Sequence, residues 1–283
     1  MGSTSKIEWT EASWTPIRAW NVATGKTGWH CEHVSPGCEH CYSESINRRL
    51  GSGLAFKPGH FKDVDVYLDE KMLAAPLKWR KPRKIFVCSM TDLFGEWVPD
   101  EWIDQVFAIM ALTPQHTYQI LTKRPERMRE YCGNIQKNGR WLEMEDRALK
   151  LGYDPRGQDD TGFAWVSNKQ FLPNVWLGVS VEDQARAGER IPLLLETPAA
   201  VSFISAEPLL SSVDLREWLP GLSWCIIGGE SGPGKRPVNL EWLRSIREQC
   251  KAAGVPLFVK QIDKVIPIPD DLMIREWPKE SRV

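Results

Sequence analysis

Three cysteines lie close together in residues 28–45, GWHCEHVSPGCEHCYSES. Cys31, Cys38 and Cys41 are spaced C-x6-C-x2-C in a stretch that is otherwise mostly polar. Thiolates this close are most readily held together by a cation, and in a reducing compartment such a cluster indicates metal binding or redox chemistry rather than a disulfide framework. The segment is therefore a candidate metal-binding loop.

Three cysteines without an evident fourth fit two kinds of metal centre. One is a 4Fe-4S cluster bound by three thiolates, which leaves the fourth iron open. The other is a Cys3His zinc site, for which the candidate histidines are His30, His33, His40 and His60. Structural zinc usually uses two paired knuckles, and only one C-x2-C pair occurs here, which favours the cluster. Unrelated free thiols are the remaining interpretation.

The composition limits the other options. With 42% hydrophobic and 26% charged residues, the 283-residue chain is typical of a globular protein. Its formal charge of -1 means that any nucleic-acid binding must use a local patch. The N-terminus lacks the apolar core of a signal peptide, and no run reaches the roughly 18 apolar residues of a membrane span. We therefore expect a cytoplasmic protein with no membrane partner.

Strands and helices alternate along the chain and must position the cysteine loop. Apolar runs predict six strands, most of them followed by helical periodicity, at 84–90, 117–123, 174–181, 200–210, 223–232 and 255–261. Their continuous apolar character is typical of parallel strands buried on both faces. With a further strand near 13–20, the sequence predicts an α/β fold, one domain over 1–283, built as a complete or partial (βα) barrel of parallel strands. An open doubly wound sheet is the alternative.

Residues 133–173 interrupt this alternation between a predicted helix and the next strand. The segment is too long for a plain loop, and we predict one helix in it at about 141–151. We interpret it as an insertion into the barrel.

Polar residues follow every predicted strand. In a βα barrel the C-terminal strand ends form the rim of the active site, so these residues predict a polar pocket. Glu207 and Glu230 either receive an amino group or a ribose hydroxyl there, or pair with a lysine such as Lys123 or Lys260. The candidate residues at this rim are Cys88, Ser89, Asp92, Lys123, Ser180, Glu207 and Glu230.

A basic segment, KWRKPRK at 78–84, is the best local signal for a nucleic-acid partner. Its cations could hold phosphates while Trp79 stacks on a base. The alternative is a solvated connection that leads into the next strand. The basic residues are Lys78, Arg80, Lys81, Arg83 and Lys84.

The cysteine loop ending in C-x-x-C-Tyr, together with a barrel of polar strand ends, resembles the radical S-adenosylmethionine enzymes. In that superfamily three cysteines hold a 4Fe-4S cluster, whose open iron chelates the methionyl amino and carboxylate groups of S-adenosylmethionine. The resemblance implies the same roles for Cys31, Cys38 and Cys41, with His40 in the usually aromatic position before the last cysteine. The first spacing departs from the usual C-x3-C.

The segments VCSMTD, LTKRPERM, LGVSVEDQARAGER and ISAEPLL are similar to the spore photoproduct lyase branch of that superfamily. This similarity implies that Lys123 and Ser180 contact the cofactor's carboxylate or ribose, and that Asp92 or Ser89 approaches its methionyl end. Cys88 takes the position of a hydrogen-atom donor, although a small buried hydrophobe is the simpler interpretation of a strand cysteine. A catalytic protein of this kind also needs an electron donor.

Motifs along almost the whole chain, from IEWTEASWTP through SPGCEHCY and GGESGPG to REWP, resemble a phage-associated three-cysteine-motif family of unassigned function. The setting implied is a bacterial or phage-infected cell. Three hypotheses stay open: a radical S-adenosylmethionine enzyme, lyase-like and acting in nucleic-acid repair or modification; a non-catalytic iron-sulfur binding or sensing protein; and a zinc-stabilised protein.

Overall fold

Ten strands appear in the computed structural model, which describes residues 5–137, 140–152, 171–232 and 234–279. In chain order they are β1 (Ala12–Trp14), β2 (Ile17–Asn21), β3 (Thr27–Gly28), β4 (Val64–Leu68), β5 (Lys84–Val87), β6 (Thr117–Thr122), β7 (Val175–Ser180), β8 (Val201–Ala206), β9 (Trp224–Gly228) and β10 (Leu257–Gln261).

The main sheet has seven parallel strands in the order β1-β5-β6-β7-β8-β9-β10 and curls into a half-barrel. The six predicted strands are therefore confirmed, and the barrel is the partial one. A second sheet, β3-β2-β4, is antiparallel and precedes the main run of strands.

The single strand predicted near 13–20 is two strands in different sheets. Ala12–Trp14 pairs with β5, whereas Ile17–Asn21 pairs with β3 and β4. Pro16 lies between them, and proline cannot donate a ladder hydrogen bond, so the chain changes sheets there.

Seven α-helices accompany the strands in the described residues: α1 (Tyr42–Leu50), α2 (Glu70–Leu73), α3 (Asp100–Ala111), α4 (Pro125–Lys137), α5 (Trp141–Lys150), α6 (Gln184–Leu195) and α7 (Leu240–Ala253). Asp183 caps α6 by accepting a hydrogen bond from the Arg186 N–H, and Asn239 caps α7 in the same way through Glu241 N–H. Helix α5 confirms the helix predicted in the insertion, of which residues 138–139 and 153–170 lie outside the described part. None of the helices described is long and apolar enough to cross a membrane.

The concave face of the half-barrel changes character along its strands. Toward the N-terminal strand ends it is filled by a mainly aromatic cluster of buried residues: Trp9, Phe86, Trp176, Val201, Phe203, Trp224, Ile226 and Phe258. Gly178 makes this packing close, because a Cβ there would lie 2.5 Å from the Phe203 ring. Toward the C-terminal ends the same face becomes polar, with Ser180 and Ser205 in register on neighbouring strands. The polar end is where a ligand can enter.

Candidate functional site

A cavity of about 180 Å³ opens at the C-terminal ends of the parallel strands. It is lined by all eleven residues predicted as cluster ligands, cofactor contacts or hydrogen-atom donor: Cys31, Cys38, His40, Cys41, Cys88, Ser89, Asp92, Lys123, Ser180, Glu207 and Glu230. The structure therefore brings these residues together, while their chemical roles stay predictions.

The cysteine loop runs from β3 to the start of α1. A 3-10 turn at Pro36–Cys38 presents Cys38, and Cys41 immediately precedes α1, with its Sγ 3.2 Å from Ser43 Oγ. Burial raises the pKa of the Cys31 thiol well above its usual range, the Asp92 carboxylate raises it further, and Arg124 acts in the opposite direction. A bound cation would offset these effects and favour the thiolate.

A buried ion pair near the end of β7 supports the cysteine loop. Arg190 Nη1 lies 3.0 Å from Glu182 Oε2, and the two side chains are 1% and 0% exposed. Burial alone would raise the pKa of Glu182, but Lys123 and Arg190 outweigh it and lower this pKa. The Gly37 N–H donates to Glu182 Oε1 at 3.4 Å, and a Cβ on Gly37 would lie 3.2 Å from the same carboxylate. Glu182 thus fixes the turn that presents Cys38.

Arg236 forms hydrogen bonds to the same loop at the mouth of the cavity. Its guanidinium donates to Glu39 Oε2 at 2.7 Å and to Pro36 O at 2.9 Å, and it also holds Glu230 Oε1 at 2.6 Å. Burial would raise the pKa of Glu230, but the bonds from Arg236 outweigh it and lower this pKa. The segment after β9 is therefore tied to the cysteine loop by one side chain.

Asp92 has every acceptor position filled. Oδ1 accepts from Thr122 Oγ1 at 2.7 Å and from the Phe94 N–H at 3.0 Å, while Oδ2 accepts from the Lys123 N–H at 3.0 Å and from Arg124 Nη1 at 3.2 Å. A carboxylate offers about four lone-pair sites, so Asp92 has none left for a ligand ammonium. In this structure it joins the ends of β5 and β6. Glu230, with three such bonds, retains one site.

Lys123 and Ser180 face each other across the ends of β6 and β7. Lys123 Nζ donates to Ser180 Oγ at 3.2 Å and forms no ion pair with an acidic group of the described residues. Arg124, its neighbour, stacks on Trp97 with 4.6 Å from Cζ to the ring centroid and donates to Glu32 O in the cysteine loop. Lys123 is therefore a cation available to an anionic group in the cavity.

Glu207 and Lys260 face each other across the ends of β8 and β10. Lys260 Nζ lies 3.0 Å from Glu207 Oε1 as an ion pair without the alignment of a hydrogen bond, and Ser205 Oγ donates to Glu207 Oε2 at 3.1 Å. An irregularity in β10 shifts the register between Val259 and Gln261, so that two consecutive residues, Lys260 and Gln261, both line the cavity.

Cys88 occupies an unusual backbone conformation at the end of β5. Its φ is +54°, in the left-handed region that is unfavourable for residues other than glycine. The side chain is 3% exposed, and burial raises the pKa of its thiol well above the usual range. Cys88 is thus a neutral thiol that both lines the cavity and packs in the core, and its role as a hydrogen-atom donor stays a prediction.

The histidines near the loop have other partners or lie at the surface. His33 Nε2 lies 2.6 Å from Glu44 Oε2, and His60 Nδ1 lies 3.1 Å from Ala55 O. His30 packs against Phe61 and Trp97, and burial lowers its pKa to about 4. His40 is exposed at the cavity mouth. Within the described ranges, no three His, Cys, Asp or Glu side chains form a group that could hold a single metal ion.

The basic segment lies at the other end of the main sheet, where β5 begins. Lys78, Arg80 and Lys81 are exposed there. Trp79 is half-buried and packs against His116, with ring centroids 6.0 Å apart, and beneath the Arg83 guanidinium. A nucleic acid on this segment would therefore be separated from the cavity by the length of the strands.

Two residues that hold the site together are not among the predicted site residues. Arg236 and Arg124 each bind the cysteine loop although they are distant from it in the chain, by about 200 and 90 residues. Their one sequence signal is position, since each follows a strand end within a short polar stretch. The contacts themselves depend on how the strand ends meet in space.

A family model described as "Protein of unknown function (DUF5131)" matches residues 4–273. No curated protein and no solved structure matches the sequence.

Proposed function

Since the chain belongs to the family described as "Protein of unknown function (DUF5131)", which names no reaction, we propose from the cavity itself that this is an iron-sulfur protein of the radical S-adenosylmethionine type. The observation that supports the proposal most directly is the joint lining of one cavity by three cysteines and Lys123, which forms no ion pair with an acidic group in the described part of the chain. A metal centre and an anionic ligand would thus share one enclosed space.

The donor set fits a cluster better than a single ion. Cys31, Cys38 and Cys41 line the same cavity without forming a group that could hold one ion. Thiolates on a cubane bind different irons, so they need not converge as the four ligands of zinc must. These three cysteines would hold the cluster, which when reduced would supply the electron for cleavage of S-adenosylmethionine.

The surrounding side chains suit the amino-acid portion of that cofactor. Lys123 would bind its carboxylate, assisted by Ser180. Glu230 would receive the ammonium on its one remaining acceptor site, because Asp92 has none. Each charge-assisted hydrogen bond of this kind contributes roughly 1.5–3 kcal/mol where water is excluded.

The test is anaerobic reconstitution with iron and sulfide, followed by metal analysis, visible absorption and electron paramagnetic resonance of the reduced protein. We expect about four irons per chain and a resonance signal that changes when S-adenosylmethionine is added. Formation of 5'-deoxyadenosine would identify an enzyme. A bound cluster with an unchanged signal and no 5'-deoxyadenosine would instead identify a non-catalytic iron-sulfur protein, and stoichiometric zinc after iron was supplied would overturn the proposal.

A further inference from the structure

A group of exposed cations follows the cysteine loop in the chain. Residues 45–62, which include most of α1, carry four basic side chains and no acidic one, in a chain whose formal charge is -1. All four are exposed, and they are Arg48, Arg49, Lys57 and Lys62. Arg48 lies 3.9 Å from Glu44, and the other three form no ion pair within the described residues. We call this positively charged surface the α1 patch.

Hydrogen bonds hold the α1 patch together and place it beside the cysteine loop. Asn47 is fully buried, and its Nδ2 donates to Leu54 O at 2.9 Å. Glu44 Oε2 accepts from the Phe56 N–H at 3.1 Å and lies 2.6 Å from Nε2 of His33, a residue of the loop. The chain after α1 therefore returns along the helix toward its start, and the patch and the loop are neighbours.

Single side chains connect the α1 patch to Cys31. Phe61 is 49% exposed, and its ring centroid lies 5.6 Å from that of His30, the residue directly before Cys31. Phe56, directly before Lys57, is buried in a small apolar cluster against which Cys31 packs. The layer of protein between this surface and the cysteine is therefore thin.

The cations of the α1 patch do not line the cavity. A ligand that reaches the strand ends therefore makes no contact with them. An electron differs from a ligand, because it passes through a thin layer of protein without its donor entering the cavity. The proposed cluster needs such an electron, since only its reduced form would cleave S-adenosylmethionine.

The α1 patch also exposes apolar side chains among its cations. Leu50 is 71% exposed, and Phe61 is half-exposed. Protein interfaces combine apolar contacts with a polar rim, and encounters between electron-transfer proteins need only a small contact area. Opposite charges on the two partners then raise the rate of association. A cationic patch of this kind selects an anionic protein.

We propose that the α1 patch is the docking surface for an acidic electron-transfer protein, which reduces the cluster from the side of Cys31. The donor loses one electron and the cluster gains it, and no bond is made or broken. This assignment rests on the proposed function and adds the partner that the function requires.

The test uses a flavodoxin, a small acidic protein that carries flavin mononucleotide, in its fully reduced form. Reduction of the cluster is followed anaerobically by stopped-flow absorption at low ionic strength. The variant combines Arg49→Glu, Lys57→Glu and Lys62→Glu. Its matched control reverses the same number of charges in the exposed part of the basic segment, with Lys78→Glu, Arg80→Glu and Lys81→Glu.

We expect the patch variant to be reduced at least about tenfold more slowly by flavodoxin, because steering by opposite charges is lost, and the control variant to react like the parent. The difference should shrink at high salt, which screens exposed charges. Photoreduced 5-deazariboflavin, an uncharged donor, should reduce all three proteins equally, which would show that the cluster itself is intact.

Three results would overturn the docking surface. One is reduction of the patch variant by flavodoxin as fast as that of the parent. Another is equal slowing of both variants, which would reflect net charge alone. The third is weaker binding of a single-stranded oligonucleotide to the patch variant with no change in the reaction with flavodoxin, which would assign the surface to nucleic acid.

Equilibrium binding of oxidised flavodoxin, measured on samples of known iron content, separates the two proposals. Binding that the patch variant weakens and the control retains, by a protein that takes up no iron, would uphold the surface and overturn the iron-sulfur function. A fully loaded protein that cleaves S-adenosylmethionine with the uncharged donor, yet treats flavodoxin alike in all three forms, would do the reverse.

Discussion

The two walls of the cavity differ in how their acidic and basic side chains are paired. On the β5–β7 wall, Asp92 is saturated by hydrogen bonds from β6 and its flanking residues. Lys123 donates to the Ser180 hydroxyl and acts on Glu182, but forms an ion pair with no acidic group of the described residues. On the β8–β10 wall, acids and bases are matched: Glu207 with Lys260, and Glu230 with Arg236. One wall therefore offers a net positive charge and the other offers paired donors and acceptors.

The difference shows how one strand-end rim can hold two unlike electrostatic environments. An unpaired lysine in a low-dielectric cavity attracts an anion, because each such charge has few competing partners. A pre-formed ion pair has a smaller net field and attracts a further charge less strongly. The first wall is therefore the one that favours an added carboxylate.

The cysteines provide the largest expected effect. Replacing Cys31, Cys38 or Cys41 with alanine removes one of three cluster ligands, and we expect each variant to lose nearly all visible absorption and bound iron after reconstitution. Cys132→Ala is the matched control, because this cysteine is buried in the core and does not line the cavity. Iron retained at the control level by all three variants would contradict the assignment of ligands.

The second-largest effect is expected at the Glu182–Arg190 pair, which supports the cysteine loop on the β5–β7 side of the cavity. Glu182→Gln leaves the Arg190 charge buried without its partner, so we expect the free energy of unfolding to fall by about 3–5 kcal/mol in urea titrations. Glu182→Leu with Arg190→Met should recover most of that loss, since both charges are then gone. A single variant as stable as the parent would show that the pair does not support the fold.

Substituting Lys123 and Lys260 in parallel compares the two walls directly. Lys123→Met removes the cation expected to bind the carboxylate, and we expect S-adenosylmethionine to bind roughly 10- to 150-fold more weakly in equilibrium titrations, the equivalent of about 1.5–3 kcal/mol. Lys260→Met should have a much smaller effect on this ligand, because Lys260 is already paired with Glu207. Equal losses in the two variants would mean that the walls do not differ as described.

Arg236 has the smallest expected effect, because its bonds to the cysteine loop lie at the partly exposed mouth. Arg236→Gln removes the exposed ion pair with Glu39 in the loop, of a kind worth about 0–1 kcal/mol, so we expect iron to be released to a chelator up to about fivefold faster. Arg244→Gln, which breaks surface pairs with Glu241 and Asp271, is the control and should leave this rate unchanged. Identical release rates in the parent and both variants would remove Arg236 from the support of the loop.

Local pattern was sufficient for the strands but not for their distribution between sheets. Six apolar runs predicted six strands because burial on both faces requires continuous apolar residues. The strand predicted near 13–20 was divided, since the consequence of Pro16 depends on which neighbours are available for pairing. Residues on either side of it found partners in different sheets.

The identity of the cavity residues was determined by the sequence, and their availability to a ligand only by the tertiary structure. Parallel strands all end at the same edge of a sheet, so the polar residue after each apolar run had to reach a common rim. Whether a carboxylate there is free depends on contacts across long sequence separations. Asp92 is saturated by groups about 30 residues away, and Glu182 holds Gly37 from 145 residues away. Such contacts follow from the curvature of the sheet and the path of the loops, which no local pattern of residues records.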